Sequence, residues 1–126
     1  MAKISAQTTS EHIALDGIEG HYGAIDGYTV GFESYTRDED PAPLFAGLPD
    51  DACQARHWGV VLEGTLVFRY TDGSQDVIEA GEAYYAPPGH LPVFNAGTRL
   101  IEFSPTDELD KTMAVVMANV EAMQAG

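Results

Sequence analysis

From Tyr28 to Tyr35 apolar and polar residues alternate, with Tyr28, Val30 and Phe32 on one face and Thr29, Glu33 and Tyr35 on the other. A period of two along the chain predicts a β-strand. The signature recurs through the middle of the sequence. His57 to Leu62 and Thr65 to Tyr70 are β-rich runs divided by Glu63-Gly64, a tight hairpin turn that needs the backbone freedom of a glycine. Thr71-Asp72-Gly73-Ser74 makes the next turn, and Asp-Gly is a strong hairpin signal. Gln75 to Ala80 predicts another strand, Gly81-Glu82 a turn, and Ala83 to Ala86 a strand that Pro87-Pro88-Gly89 breaks. Leu91 to Asn95 resumes, Ala96-Gly97-Thr98 turns, and Arg99 to Phe103 closes the series. Short, evenly spaced strands joined by glycine-centred turns predict a sandwich or barrel and argue against an α/β fold.

The flanks read differently. Residues 1–27 mix polar residues with Gly17, Gly20, Gly23 and Gly27, which predicts an irregular N-terminal arm carrying short strands. Asp38 to Asp51 is rich in Asp and Pro and predicts a long surface loop. Residues 104–124 predict a C-terminal helix, with Ser104 as its cap, Pro105 in its first turn, and Asp107 and Glu108 at the positive end of its dipole. Leu109, Met113, Val116, Met117, Val120 and Met123 follow at helical spacing. Every methionine except Met1 lies on this stripe, which reads as a packed face and not as a metal or cofactor box.

A chain of 126 residues fits one domain, here 1–126 with an arm (1–27), a barrel (28–103) and a helix (104–124). Six Lys and Arg against twenty Asp and Glu give a net charge of −14. Such a surface repels phosphate backbones and anionic lipids, so neither nucleic acid nor membrane is expected as a partner. Cys53 is the only cysteine, which rules out an internal disulfide. The start of the chain lacks the apolar run of a secretory signal and no stretch reaches transmembrane length, all of which fits a reducing cytoplasm.

Two blocks in the middle, His57 to Gly64 and Gly81 to Gly89, resemble motifs of the cupin superfamily. Its first motif reads Gly, five residues, His-x-His, three or four residues, Glu, six residues, Gly. Its second reads Gly, five residues, Pro-x-Gly, two residues, His, three residues, Asn. His57-Trp58-Gly59-Val60-Val61-Leu62-Glu63-Gly64 resembles the end of the first, and Gly81 to Gly89, with Pro87 in register, the start of the second. Small bacterial cupin-domain proteins with a Cys, His-Trp-Gly and Tyr-Tyr-x-Pro-Pro-Gly-His pattern are also similar. The resemblance covers roughly residues 47–104. It implies an all-β, double-sheet jelly-roll barrel whose two motifs face one cavity, and a homodimer.

The family's metal ligands are not carried over. Counting back from Gly64, the Glu position falls on His57 and the two His positions on Cys53 and Asp51. In the second motif the His position falls on Pro92 and the Asn position on Ala96. The substitutes are nonetheless metal-binding types. Cys53, His57 and His90 form a candidate site for a divalent metal, with zinc the best match and iron or copper after it. His90 shares a strand face with position 92. Asp51 sits beside Asp50 in the loop and reads as a solvated turn. On one continuous strand Cys53 and His57 would stand about 13 Å apart, too far for direct contact without a bulge.

Two further side chains are candidates for a small-molecule ligand or cofactor. Tyr85 shares its strand face with Ala83 and Pro87 and is assigned to the cavity; Tyr84 shares the opposite face with Ala86. Glu33 lies opposite Val30 and Phe32, where it is either a general base inside the barrel or a surface carboxylate. Trp58 points away from His57, toward the core or a dimer contact, and His12 and His21 sit in no motif. No phosphate-binding glycine loop, Gly-x-Ser-x-Gly elbow or Cys-x-x-Cys pair is present. Two functions stay open: a metal-dependent enzyme acting on a small organic molecule, and a metal-free module that encloses a small ligand.

Overall fold

The computed structural model describes residues 3–15 and 17–125; Met1, Ala2 and Asp16 of the arm, and Gly126, lie outside the described residues. Among the described residues nine strands form two sheets. They are β1 (Glu11–Leu15), β2 (Ile18–Ile25), β3 (Tyr28–Tyr35), β4 (His57–Glu63), β5 (Thr65–Tyr70), β6 (Gln75–Glu79), β7 (Ala83–Ala86), β8 (His90–Val93) and β9 (Arg99–Pro105). The larger sheet runs β1-β2-β3-β9-β4-β7 and the smaller β6-β5-β8, with every pair antiparallel. One core lies between the two sheets, from Tyr35, Val61, Leu66, Phe68, Ile78, Ala86, Phe94 and Leu100. This is the double-sheet jelly-roll expected from the alternation and the turns.

The arm is more regular than its glycines suggest. β2 is eight residues long and pairs along its whole length with β3, so both arm strands belong to the larger sheet. Gly20 and Gly23 are buried, and a Cβ would run into the Tyr22 ring at Gly20 and stand 3.0 Å from Ile4 at Gly23, so each trades a side chain for close packing, which a sequence reads as irregularity.

The Asp- and Pro-rich stretch is not merely a loop. It contains α1 (Ala42–Phe45) and a 3₁₀ turn (Pro49–Asp51). Phe45 and Leu48 are buried there with Cys53, Ala55 and Val116 in a second core. Its other wall is the C-terminal helix α2 (Thr106–Ala125), which buries Thr112, Val116 and Val120. The apolar stripe of the helix thus packs on its own chain as far as Val120, while Met123 is exposed, and the Asn119 amide donates to the carbonyls of Leu44 and Ala46, both at 2.8 Å. Ser104 does not serve as the helix cap: it lies within β9, buried, and its hydroxyl meets a histidine. No helix among the described residues is long and apolar enough to cross a membrane.

Candidate metal and carboxylate site

Cys53, His57 and His90 come together because two short pieces of backbone are stitched to each other. Cys53 N–H donates to the His90 carbonyl and Gly89 N–H to the Cys53 carbonyl, each at 2.8 Å. Between Cys53 and His57 the chain is not a strand; it bends at Ala55 before β4 begins. The bend removes the separation expected along a continuous strand. The Cys53 Sγ lies 3.5 Å from the His57 Nε2, and the two imidazoles meet edge to face with ring centres 4.8 Å apart. One donor atom from each residue lies within 4.8 Å of the others, and all three residues are buried.

The remaining ring nitrogens are held by the protein. His90 Nδ1 is 2.7 Å from the Pro87 carbonyl. A carbonyl only accepts, so Nδ1 carries the proton and Nε2 keeps its lone pair. His57 Nδ1 is 2.6 Å from the Ser104 Oγ and 3.6 Å from Glu102 Oε2. Partners of this kind orient metal-binding histidines. Burial holds every member neutral: it drives the Cys53 thiol up to about 12 and the imidazoles of His57 and His90 down to about 4 and about 3.

A row of side chains across the inner face of the larger sheet completes the site. The pairing places Tyr22 opposite Gly31, Gly31 opposite Glu102, Glu102 opposite Gly59 and Gly59 opposite Tyr84. The two glycines make the row possible. A Cβ on Gly59 would stand 2.6 Å from the Tyr84 ring and from the Ile101 carbonyl, and one on Gly31 2.8 Å from the Tyr22 ring. The tyrosines therefore fold flat over glycine and aim their hydroxyls at carboxylates. Tyr84 donates to Glu102 at 2.7 Å, and Tyr22 donates to Glu33 in a short bond. Glu33 and Glu102 are both raised, by burial above all, with repulsion from Glu102 adding at Glu33. The phenols of Tyr22, Tyr35 and Tyr84 are pushed up for the same reason and keep their protons.

Glu33, Glu102, Cys53, His57 and His90 all line one cavity of about 80 Å³, otherwise walled mainly by apolar side chains of β1, β2 and α2. At 10–15 Å³ per water centre that is room for roughly five to eight waters, or a ligand of a few heavy atoms. It falls well short of the 300–1,000 Å³ typical of drug-sized pockets.

Of the residues singled out by sequence, Cys53, His57, His90 and Glu33 share this cavity. Tyr85 does not. It lies on the outer face, 45% exposed, tilted against Trp58 with ring centres 5.1 Å apart. The pairing of Trp58 with Tyr85 and of Gly59 with Tyr84 fixes the parity, and Tyr84 is the inward tyrosine. Asp51 is exposed and accepts from the Gly47 N–H at 2.9 Å, a turn residue as expected. Sequence reasoning missed Tyr22, Tyr84, Glu102 and Ser104. For Glu102 a signal existed, since it alternates with Ile101 and Phe103, but Leu100 on its own face hid which side was inward.

No protein-family model and no curated protein matches the sequence. Solved structures do match. An RmlC-like cupin from Shewanella frigidimarina NCIMB 400 is similar over 81% of this chain and 88% of its own, at TM-score 0.55 and 19% identity. A Rhizobium leguminosarum bv. viciae 3841 protein of unknown function aligns over 82% of this chain and 95% of its own, at TM-score 0.57 and 18% identity. The Streptomyces protein PAC13, solved with uridine, aligns over 82% of this chain and 80% of its own, at TM-score 0.56 and 19% identity. With its two antiparallel sheets closed around one cavity, the chain has the fold of the RmlC-like cupin.

Proposed function

We propose that this chain is a metal-binding cupin whose Cys53, His57 and His90 hold one divalent ion at the end of a small cavity, zinc being the best match. The observation that carries the reading is the convergence of one sulfur and two imidazole donors in a buried, pre-oriented cluster. Ligands of a tetrahedral ion bonded at 2.0–2.3 Å stand roughly 3.5 Å apart, which is the separation of the Cys53 Sγ and His57 Nε2. Three protein ligands leave a position open, the arrangement of catalytic and not of closed structural sites. A bound ion would supply Lewis acidity or an activated water at that position.

The residues around it have separable tasks. Ser104 and Glu102 fix the His57 ring, and the Pro87 carbonyl fixes that of His90. Glu33 and Glu102, each hydrogen-bonded by a phenol, can pass a proton to or from a small polar ligand. The apolar walls admit a molecule of only a few heavy atoms, so a bulky ligand would have to open the β1–β2 or α2 side. A reducing compartment such as the cytoplasm suits a site that needs a free thiol.

Elemental analysis of the purified, untagged chain tests the reading. About one zinc per chain, lost in both Cys53→Ser and His57→Ala while the circular dichroism is kept, is the expected result. Cobalt substitution gives a second check, through a thiolate-to-metal charge-transfer band that Cys53→Ser abolishes. Absence of stoichiometric metal after reconstitution would overturn the proposal and leave a module that binds a small neutral ligand without metal.

A further inference from the structure

On the outside of the larger sheet, away from the cavity, a second group of donors converges. His12 of β1 is paired with His21 of β2, and Glu19 lies two residues before His21 on the same face. Both imidazoles aim at one oxygen: His12 Nε2 is 3.4 Å and His21 Nε2 3.3 Å from Glu19 Oε1. The three donor atoms lie within 4.8 Å of one another. We infer that His12, Glu19 and His21 form a second, surface site for a divalent transition metal, which clamps the β1–β2 hairpin.

Two ligands bonded to one ion at about 2.1 Å and set at the tetrahedral angle are roughly 3.4 Å apart, the spacing seen here. Two imidazoles and one carboxylate select zinc, nickel or copper over calcium or magnesium, which take oxygen. The two rings lie stacked, with centres 4.3 Å apart and planes 4° off parallel. Binding therefore turns each ring about its Cβ–Cγ bond to bring its lone pair onto the ion. The side chains are free enough to do so, at 52% exposure for His12 and 31% for His21.

The position gives the site a consequence. Among the described residues β1 is an edge strand that pairs only with β2, through five residue pairs. The opposite face of the same hairpin, with Ile13, Leu15, Ile18 and Gly20, walls the inner cavity. A cross-strand ion forms only in the native register, because a one-residue slip sends His12 to the other face. Metal on the outside therefore holds one wall of the inner cavity in place, by linkage between binding and hairpin closure.

The test is a zinc chloride titration of the chelator-stripped full chain, with stoichiometry read by equilibrium dialysis and elemental analysis. Wild type is expected to take up one equivalent more than His12→Ala and one more than His21→Ala, and Glu19→Gln to bind that equivalent more weakly. Zinc should slow hydrogen exchange of the amides of β1 and β2 in wild type and leave it unchanged in His12→Ala. These side chains are exposed, so the variants keep their fold. Equal stoichiometry in wild type and His12→Ala, or equal exchange with and without zinc, would overturn the inference. Cys53→Ser retains this equivalent whether or not the inner cluster binds metal, so the two sites stand or fall separately.

Discussion

Cys53 offers the sharpest test of how the cavity sets its chemistry. The residue is 3% exposed, and around its sulfur stand the neutral His57 ring at 3.5 Å and two oxygens, of Ala55 and Thr112, at 3.9 Å. No cation among the described residues compensates for the loss of water, so burial drives the thiol from 9.0 to about 12. Thiolate is the reactive form, and a shift of that size lowers its fraction about a thousandfold at any pH below both values. Iodoacetamide at about pH 8, followed by mass spectrometry, should therefore modify the folded, metal-free chain at least about a thousandfold more slowly than the chain in urea. The rate in the folded chain should also lack an inflection below about pH 11. Modification of the folded protein within tenfold of the unfolded rate would refute the reasoning. That outcome would mean the His57 ring is protonated and stabilises a thiolate, making the pair a nucleophile and not a pair of neutral donors waiting for metal.

Three other consequences follow from the same interior. Gly59→Ala places a Cβ 2.6 Å from the Ile101 carbonyl, a backbone atom that cannot step aside, and should cost about 1–3 kcal/mol in urea unfolding with an unchanged slope. Glu33 is raised in the fold, so folding favours its protonated form; that stability is present at acid pH and is lost as pH rises through the raised value. Glu33→Gln keeps an acceptor for Tyr22, and should raise Tm at about pH 9 while giving no gain at about pH 5, as thermal unfolding at the two pH values will show. His57 and His90 are depressed from 6.5 to about 4 and about 3, so their neutral forms stabilise the fold above 6.5 and the benefit is lost as pH falls from there through the lowered values. In metal-free protein the Tm should drop over that interval, and His90→Asn should flatten the drop.

What the sequence determined by itself was local. Alternation along residues 28–35 and 57–70, and turns at Glu63-Gly64 and Asp72-Gly73, depend only on neighbours in the chain, and they led to the right strands and the right class of fold. The donor set Cys53, His57 and His90 was also legible, because metal-binding side chains are rare enough that a cluster near two family-like motifs stands out. Tertiary structure decided everything that depends on which strands meet. Tyr84 and Tyr85 occupy a strand of only four residues, too short for its own pattern to tell inside from outside, and the pairing with β4 turned Tyr84 inward. The bend at Ala55 removed the separation of about 13 Å that a continuous strand would put between Cys53 and His57. Glu102 entered the site because β9, last in sequence, lies between β3 and β4, bringing its carboxylate between Gly31 and Gly59. Along the chain those glycines stood inside the strands expected at 28–35 and 57–62, with no role of their own. Their role is to leave room for a tyrosine ring from the neighbouring strand, a requirement that exists only once the sheet has formed.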